Sequence, residues 1–175
     1  DIERNGRPEE TYWTYSLTPI RDDNDVVQGV LLLSSEVTEK TLTTRRHQTL
    51  EALRNDLVNV DRLEQLAPAV ERAASFNPAD LHSVSLMQLR ACPVPGSIPS
   101  HNLVKAQDVG VNVDLAIEFW PSPKVSLDHS QRVFIEQFSL LVASAQQRIE
   151  SEARRRIVEA ERDRLLLDAP VGAAV

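Results

Sequence analysis

From Tyr12 onward the chain alternates, with Trp13, Tyr15 and Leu17 falling between Thr14, Ser16 and Thr18. A period of two sends successive side chains to opposite faces, so this stretch predicts a β-strand. Pro19 is expected to end the strand or to hold it at a sheet edge. Residues 21–25 predict a turn, because Asp and Asn tolerate left-handed backbone and bond their own main chain. Residues 26–34 predict a second strand, and the short connection makes the pair an antiparallel hairpin.

The period then changes. Thr38 is the expected N-cap of a helix, and Leu50, Leu53, Leu57 and Val60 recur at helical spacing. A second helix is expected over 61–74, with Leu63, Leu66, Ala67, Val70 and Ala74 on one face. Pro68 should kink or restart it, having no N–H to donate. Residues 76–80 read as a loop and 81–89 as a strand. The prolines and glycine of 91–102 predict a loop, and the alternation over 111–120 predicts a further strand. With Ser126 or Asp128 as cap, a last helix runs almost to Asp168 without Gly or Pro. Its stripe is Phe134, Phe138, Leu141, Ala145, Ile149, Ala153, Ile157 and Ala160. The first half is apolar enough to lie on a core. The second half, 148–168, is charged with a thin apolar seam, which suits a partner helix. Together these elements predict an α+β fold: antiparallel sheet pieces joined by long helices.

Composition narrows the class. The 175 residues are 42% hydrophobic and 26% charged, as in soluble domains. A formal net charge of −7 argues against polyanionic partners, both nucleic acid and anionic membrane. Cys92 is the single cysteine, which excludes an internal disulfide and a multi-cysteine metal site and suggests a reducing compartment. No apolar run approaches a membrane span, and no basic-then-apolar leader opens the sequence. The expected location is cytoplasmic.

Residues 1–40 resemble the C-terminal part of a PAS domain, with 12–40 as its last two strands and exit. Pro19-Ile20 precedes the acidic turn, an apolar strand follows, and Glu36-Val37-Thr38-Glu39 stands where the family has its Asp-Val-Thr-Glu exit. Residues 41–150 resemble a shortened GAF domain. Its entry helices lead to Asn77-Pro78-Ala79-Asp80 and a strand, and 111–120 with the following helix resemble the last strand and closing helix. Residues 151–168 read as a signalling coiled-coil helix, and 169–175 resemble the start of a second PAS domain.

This arrangement resembles the sensory region of multidomain sensor histidine kinases in two-component phosphorelays. The resemblance implies a non-catalytic sensing and relay segment, in which a sheet domain biases its exit helix. Alternatives are an adaptor with a degraded pocket, or a sensory part whose output is a cyclase or phosphatase. The implied partners are a parallel homodimer, adjoining signalling domains and a response regulator. Phe138, Leu141, Ala145, Ile149, Ala153 and Ile157 form the expected dimer seam. No cofactor is evident, and a small-molecule ligand stays open.

Site chemistry is sparse. His47 lies on a predicted helix without the acidic residue and Arg-Thr-Pro run of a phosphoacceptor, and reads as a surface histidine. Cys92 reads as a loop thiol rather than a nucleophile or chromophore anchor, since nucleophilic work needs a neighbouring base. His82, His101 and His129 lack metal-ligand spacing. Asp22, Asp23 and Asp25 lack the glycine and distal glutamate of a calcium loop. The "EARRR" run from Glu152 reads as a helix face with internal ion pairs. Trp13, Tyr15 and Phe119 are candidates for a pocket lining, against the plainer reading of core.

Overall fold

A computed structural model describes residues 2–4, 7–88, 104–105, 115–122, 125 and 127–167. Its class is the expected α+β, with antiparallel pairing throughout the described sheets. Cys92, His101, the loop 91–102, the first part of the expected strand at 111–114 and the segment 169–175 lie outside the described residues.

A short pair comes first, β1 (Ile2–Arg4) against β2 (Arg7–Glu9). The hairpin follows as β3 (Trp13–Arg21) and β4 (Val27–Glu36), in register from Trp13 opposite Glu36 to Ile20 opposite Gly29. Its tip is an Asx-type turn. The Asp22 Oδ1 accepts the N–H groups of Asn24 and Val26 at 2.9 and 3.0 Å, Oδ2 accepts from Gln28, and Asp25 takes a left-handed φ of 63°. Pro19 does not end β3; it sits inside, opposite Val30. A two-stranded ribbon is all edge, and an edge strand tolerates a residue that cannot donate.

Neither face of this ribbon is covered. All of β3 is exposed, and in β4 only Gly29 is partly buried. Cross-strand partners share a face, so Trp13, Tyr15, Leu17, Leu32 and Val30 line one side and Ile20, Leu31 and Leu33 the other.

Helix α1 (Thr38–Val58) buries Arg46, Thr49, Leu53 and Leu57, a stripe at helical spacing. Thr38 is not its cap. Val37 holds that position without a side-chain bond, while the Thr38 hydroxyl accepts the N–H of Tyr12 at 2.9 Å. A single-turn 3₁₀ helix (Leu63–Gln65) leads into α2 (Leu66–Ser75). The second helix therefore begins later than its apolar pattern predicts. Pro68 falls in the first turn of α2, where N–H groups have no helical partner, so it causes neither kink nor restart.

The main sheet has the order β5–β7–β6, with β5 (Leu81–Gln88), β6 (Val104–Lys105) and β7 (Leu115–Pro121). Val84 pairs with Phe119 and Leu86 with Ile117, so these four share the face toward the helices. Leu53, Leu57, Leu66, Val70, Val84, Ile117, Phe119, Phe134, Phe138 and Val142 build one core from α1, α2, the sheet and α3. Ala69, Ala73 and Ala74 let α2 approach closely. Phe138 stands edge-to-face on Phe119 at 5.5 Å and meets Phe134 at 6.2 Å.

Helix α3 (His129–Leu167) has 39 residues, a rod of roughly 58 Å at 1.5 Å per residue. Asp128 caps it, Oδ1 accepting the Gln131 N–H at 2.7 Å. Up to Ile149 its apolar stripe lies in the core; from Ala153 onward every described side chain is exposed. No helix among the described residues is long and apolar enough to cross a membrane.

Candidate functional site at the hairpin–helix junction

The polypeptide between β2 and β3 runs beside the start of α1 and is bonded to it. Tyr12 donates its N–H to the Thr38 hydroxyl, and its carbonyl accepts the Val37 N–H at 2.9 Å. These bonds fix the entry of the hairpin against its own exit.

Arg45, two turns into α1, joins that entry to the main sheet unit. Its Nη1 and Nη2 donate to the Glu10 carboxylate at 3.0 and 2.9 Å. Its Nε and Nη2 donate to Asp80 at 2.9 Å each. The planar guanidinium thus makes two forked pairs at once, a geometry a lysine cannot copy. Asp80 is fully buried. Its place is set by the turn after α2, where the Asp80 and Leu81 N–H groups both donate to the Asn77 carbonyl and Ser122 donates to the Asp80 carbonyl. Asn77 donates to the Asp80 side chain and, at 3.2 Å, to Thr49. A carboxylate taken out of water needs such partners, because leaving it unpaired is very costly.

The electrostatics follow from these contacts. Burial works to lower the Arg45 pKa, but the bonds and charges of Glu10 and Asp80 raise it above its ordinary value. The Tyr12 hydroxyl donates to Glu10, and that bond, with burial and the Glu10 charge, pushes the phenol above its usual value against the opposing effect of Arg45.

Arg46 lies beside this cluster and is 5% exposed. Its Nη1 donates to the Ser130 hydroxyl at 2.6 Å, while its Nε has no hydrogen bond and stands 3.7 Å from Asp80. Arg46 and Ser130 form part of the wall of a cleft of about 480 Å³, whose other lining includes Glu9, Glu39, Leu42 and Asp128. That volume falls in the roughly 300–1,000 Å³ range of small-molecule sites.

The opposite end of α1 is also held. Arg148 of α3 donates from Nη2 to the carbonyls of Leu57 and Val60, both at 2.9 Å. Leu57 lies in the last turn of α1 and Val60 just past its end, where a cation is favoured.

The residues singled out from sequence are scattered. His47 is exposed, its Nε2 3.3 Å from the Glu51 carboxylate. His82 and His129 are exposed and belong to separate elements. No group of three or more metal-ligating side chains occurs among the described residues. Asp22 is engaged in closing its own turn. Trp13 and Tyr15 lie on the open ribbon at 39% and 64% exposure, whereas Phe119 is in the core, so the three share no pocket. Within "EARRR", Arg154 pairs with Glu150, four residues before it. Of the expected dimer seam, Phe138, Ala145 and Ile149 are buried inside the chain and Leu141 packs against the same core. Ala153 and Ile157 are exposed. Burial of the stripe within the chain ends at Ile149.

Arg45, Arg46, Asp80 and Arg148 were not marked by the sequence pattern. The nearest signal was the Asn77-Pro78-Ala79-Asp80 turn, which places the buried carboxylate. Comparison with known proteins gave no matching family model, no matching curated protein and no matching solved structure.

Proposed function

We propose that this chain is a non-catalytic sensory and signal-relay segment of a PAS/GAF-type signalling protein, with a cytoplasmic sensor histidine kinase of a two-component phosphorelay as its parent. The observation that carries this reading is the double anchoring of α1. Near its start it holds the hairpin entry through Tyr12–Thr38 and Glu10–Arg45; at its end it is held by Arg148 of α3. A shift of the hairpin would pull on α1, and α1 would pass the shift to α3, whose exposed half carries it onward. Such relays need two arrangements of packed elements of similar free energy.

The exposed half of α3 is also the surface for a parallel homodimer. With Ala153 and Ala160 at d positions and Ile157 at a, Arg156 occupies g and Glu161 e, an attractive pair across a parallel coiled coil. Ile157 is 66% exposed in the single chain, which supports a partner there. The test is analytical ultracentrifugation with cysteines placed at Glu152 for cross-linking. A concentration-dependent dimer that cross-links at Glu152 and dissociates in Ile157→Asp is expected. A monomer at high protein concentration, or pairing that excludes a Glu152 cross-link, contradicts it.

One observation favours a second reading, a structural adaptor without a ligand inside the GAF-like unit. Phe119 and Phe138, both fully buried, meet edge-to-face between the sheet and α3. Native mass spectrometry that finds no co-purifying small molecule favours the adaptor.

A further inference from the structure

We propose that the cleft beside the hairpin–helix junction binds a small basic α-amino acid, with its carboxylate on Arg46 and its ammonium groups on the glutamates of the rim. The first support is Arg46 itself. A guanidinium carries five N–H donors, yet this one, 5% exposed, spends a single hydrogen bond, on the neutral Ser130 hydroxyl. The nearest carboxylate, Asp80, is 3.7 Å from Nε and already takes two bonds from Arg45 and one from Asn77. A buried cation with open donors at a cleft wall is a seat for a carboxylate, which a guanidinium binds through paired bonds.

The rim asks for the opposite charge. The Glu9 and Glu39 side chains line the cleft with no hydrogen bond or ion pair among the described residues. Asp128 and the already engaged Glu10 and Glu36 bring the lining carboxylates to five, and Leu42 supplies an apolar wall for an aliphatic stem. A simple anion is repelled by this rim, and a simple amine makes no use of the Arg46 donors that Asp80 and Ser130 leave open. A molecule with one carboxylate and two separated ammonium groups answers both. The cleft has this chemistry whether or not the chain relays a signal, so loss of lysine binding with intact coupling along α1 would remove this proposal alone.

The test is isothermal titration of the whole chain with L-lysine, with cadaverine, which lacks the carboxylate, and with L-norleucine, which lacks the side-chain ammonium. Saturable lysine binding is expected, with each analogue weaker by about tenfold or more. Glu39→Gln, a change at an exposed helix position, should keep the circular dichroism spectrum and weaken lysine more than norleucine. The proposal is overturned by the absence of saturable lysine heat up to roughly 10 mM, a range that reaches millimolar affinities. Cadaverine binding as well as lysine, or a Glu39→Gln chain that binds lysine unchanged, overturns it equally.

Discussion

Arg148 caps the carbonyl of Leu57 at 2.9 Å, so a cation on the closing helix completes the end of the first one across 91 residues of sequence. Removing it should loosen α1 from α3 without touching the apolar core. Arg148→Met keeps much of the stem and loses the bonds, and should cost about 1–2 kcal/mol. Urea denaturation reads this as a lower midpoint at unchanged slope. A midpoint equal to the parent's would mean the cap contributes nothing.

Asp80 and Glu10 share Arg45 but not its surroundings. Asp80 is fully buried, whereas the Glu10 side chain is 21% exposed. Arg45→Met leaves the buried Asp80 charge without its main partner and should cost roughly 3–5 kcal/mol, the usual effect of breaking a buried pair. Glu10→Gln should cost clearly less, because water can replace part of what is lost. Equal losses in the two variants would contradict the assigned burial.

The phenol of Tyr12 gives the junction a pH signature. Its pKa is raised above 10.0, first by its bond to Glu10, so the fold favours the protonated form. That contribution is complete below the ordinary tyrosine value and is lost as pH rises through the raised one. Spectrophotometric titration of the chain against Tyr12→Phe should therefore assign the late-titrating phenol to Tyr12. The Tyr12→Phe chain should also lose less stability between neutral and strongly alkaline pH. If the late phenol persists in that variant, the bond to Glu10 is not what raises it.

Gln131 is fully buried on α3, and neither its Nε2 nor its Oε1 has a hydrogen-bond partner among the described residues. A buried amide left unpaired costs about 1–3 kcal/mol, and a similar apolar shape avoids that cost. Gln131→Met should accordingly raise the thermal midpoint. A marked fall would show that the amide is satisfied in solution.

Local pattern made much of this fold legible, because periodicity and turn chemistry are local. The hairpin, its Asp22 turn, α1 and α3 with its Asp128 cap all follow from spacing and residue type. The junction does not. Arg45 and Asp80 are 35 residues apart, and a charged helix position reads as solvent-facing until a distant turn supplies its carboxylate. Thr38 failed as a cap because its hydroxyl had a competing donor in Tyr12. The division of the α3 stripe was hidden for a different reason: Phe138 and Ile157 belong to one helical pattern, and that pattern is the same for a side facing the chain's own core and a side left exposed.

In the proposed relay α1 couples the hairpin entry to α3. A double-mutant cycle of Glu10→Gln and Arg148→Met tests this most directly, since the two side chains hold opposite ends of that helix and share no contact. Relay through α1 predicts that the double variant departs from the sum of the single effects by more than about 0.5 kcal/mol. Additivity within roughly 0.3–0.5 kcal/mol, as expected of distant independent sites, would contradict it.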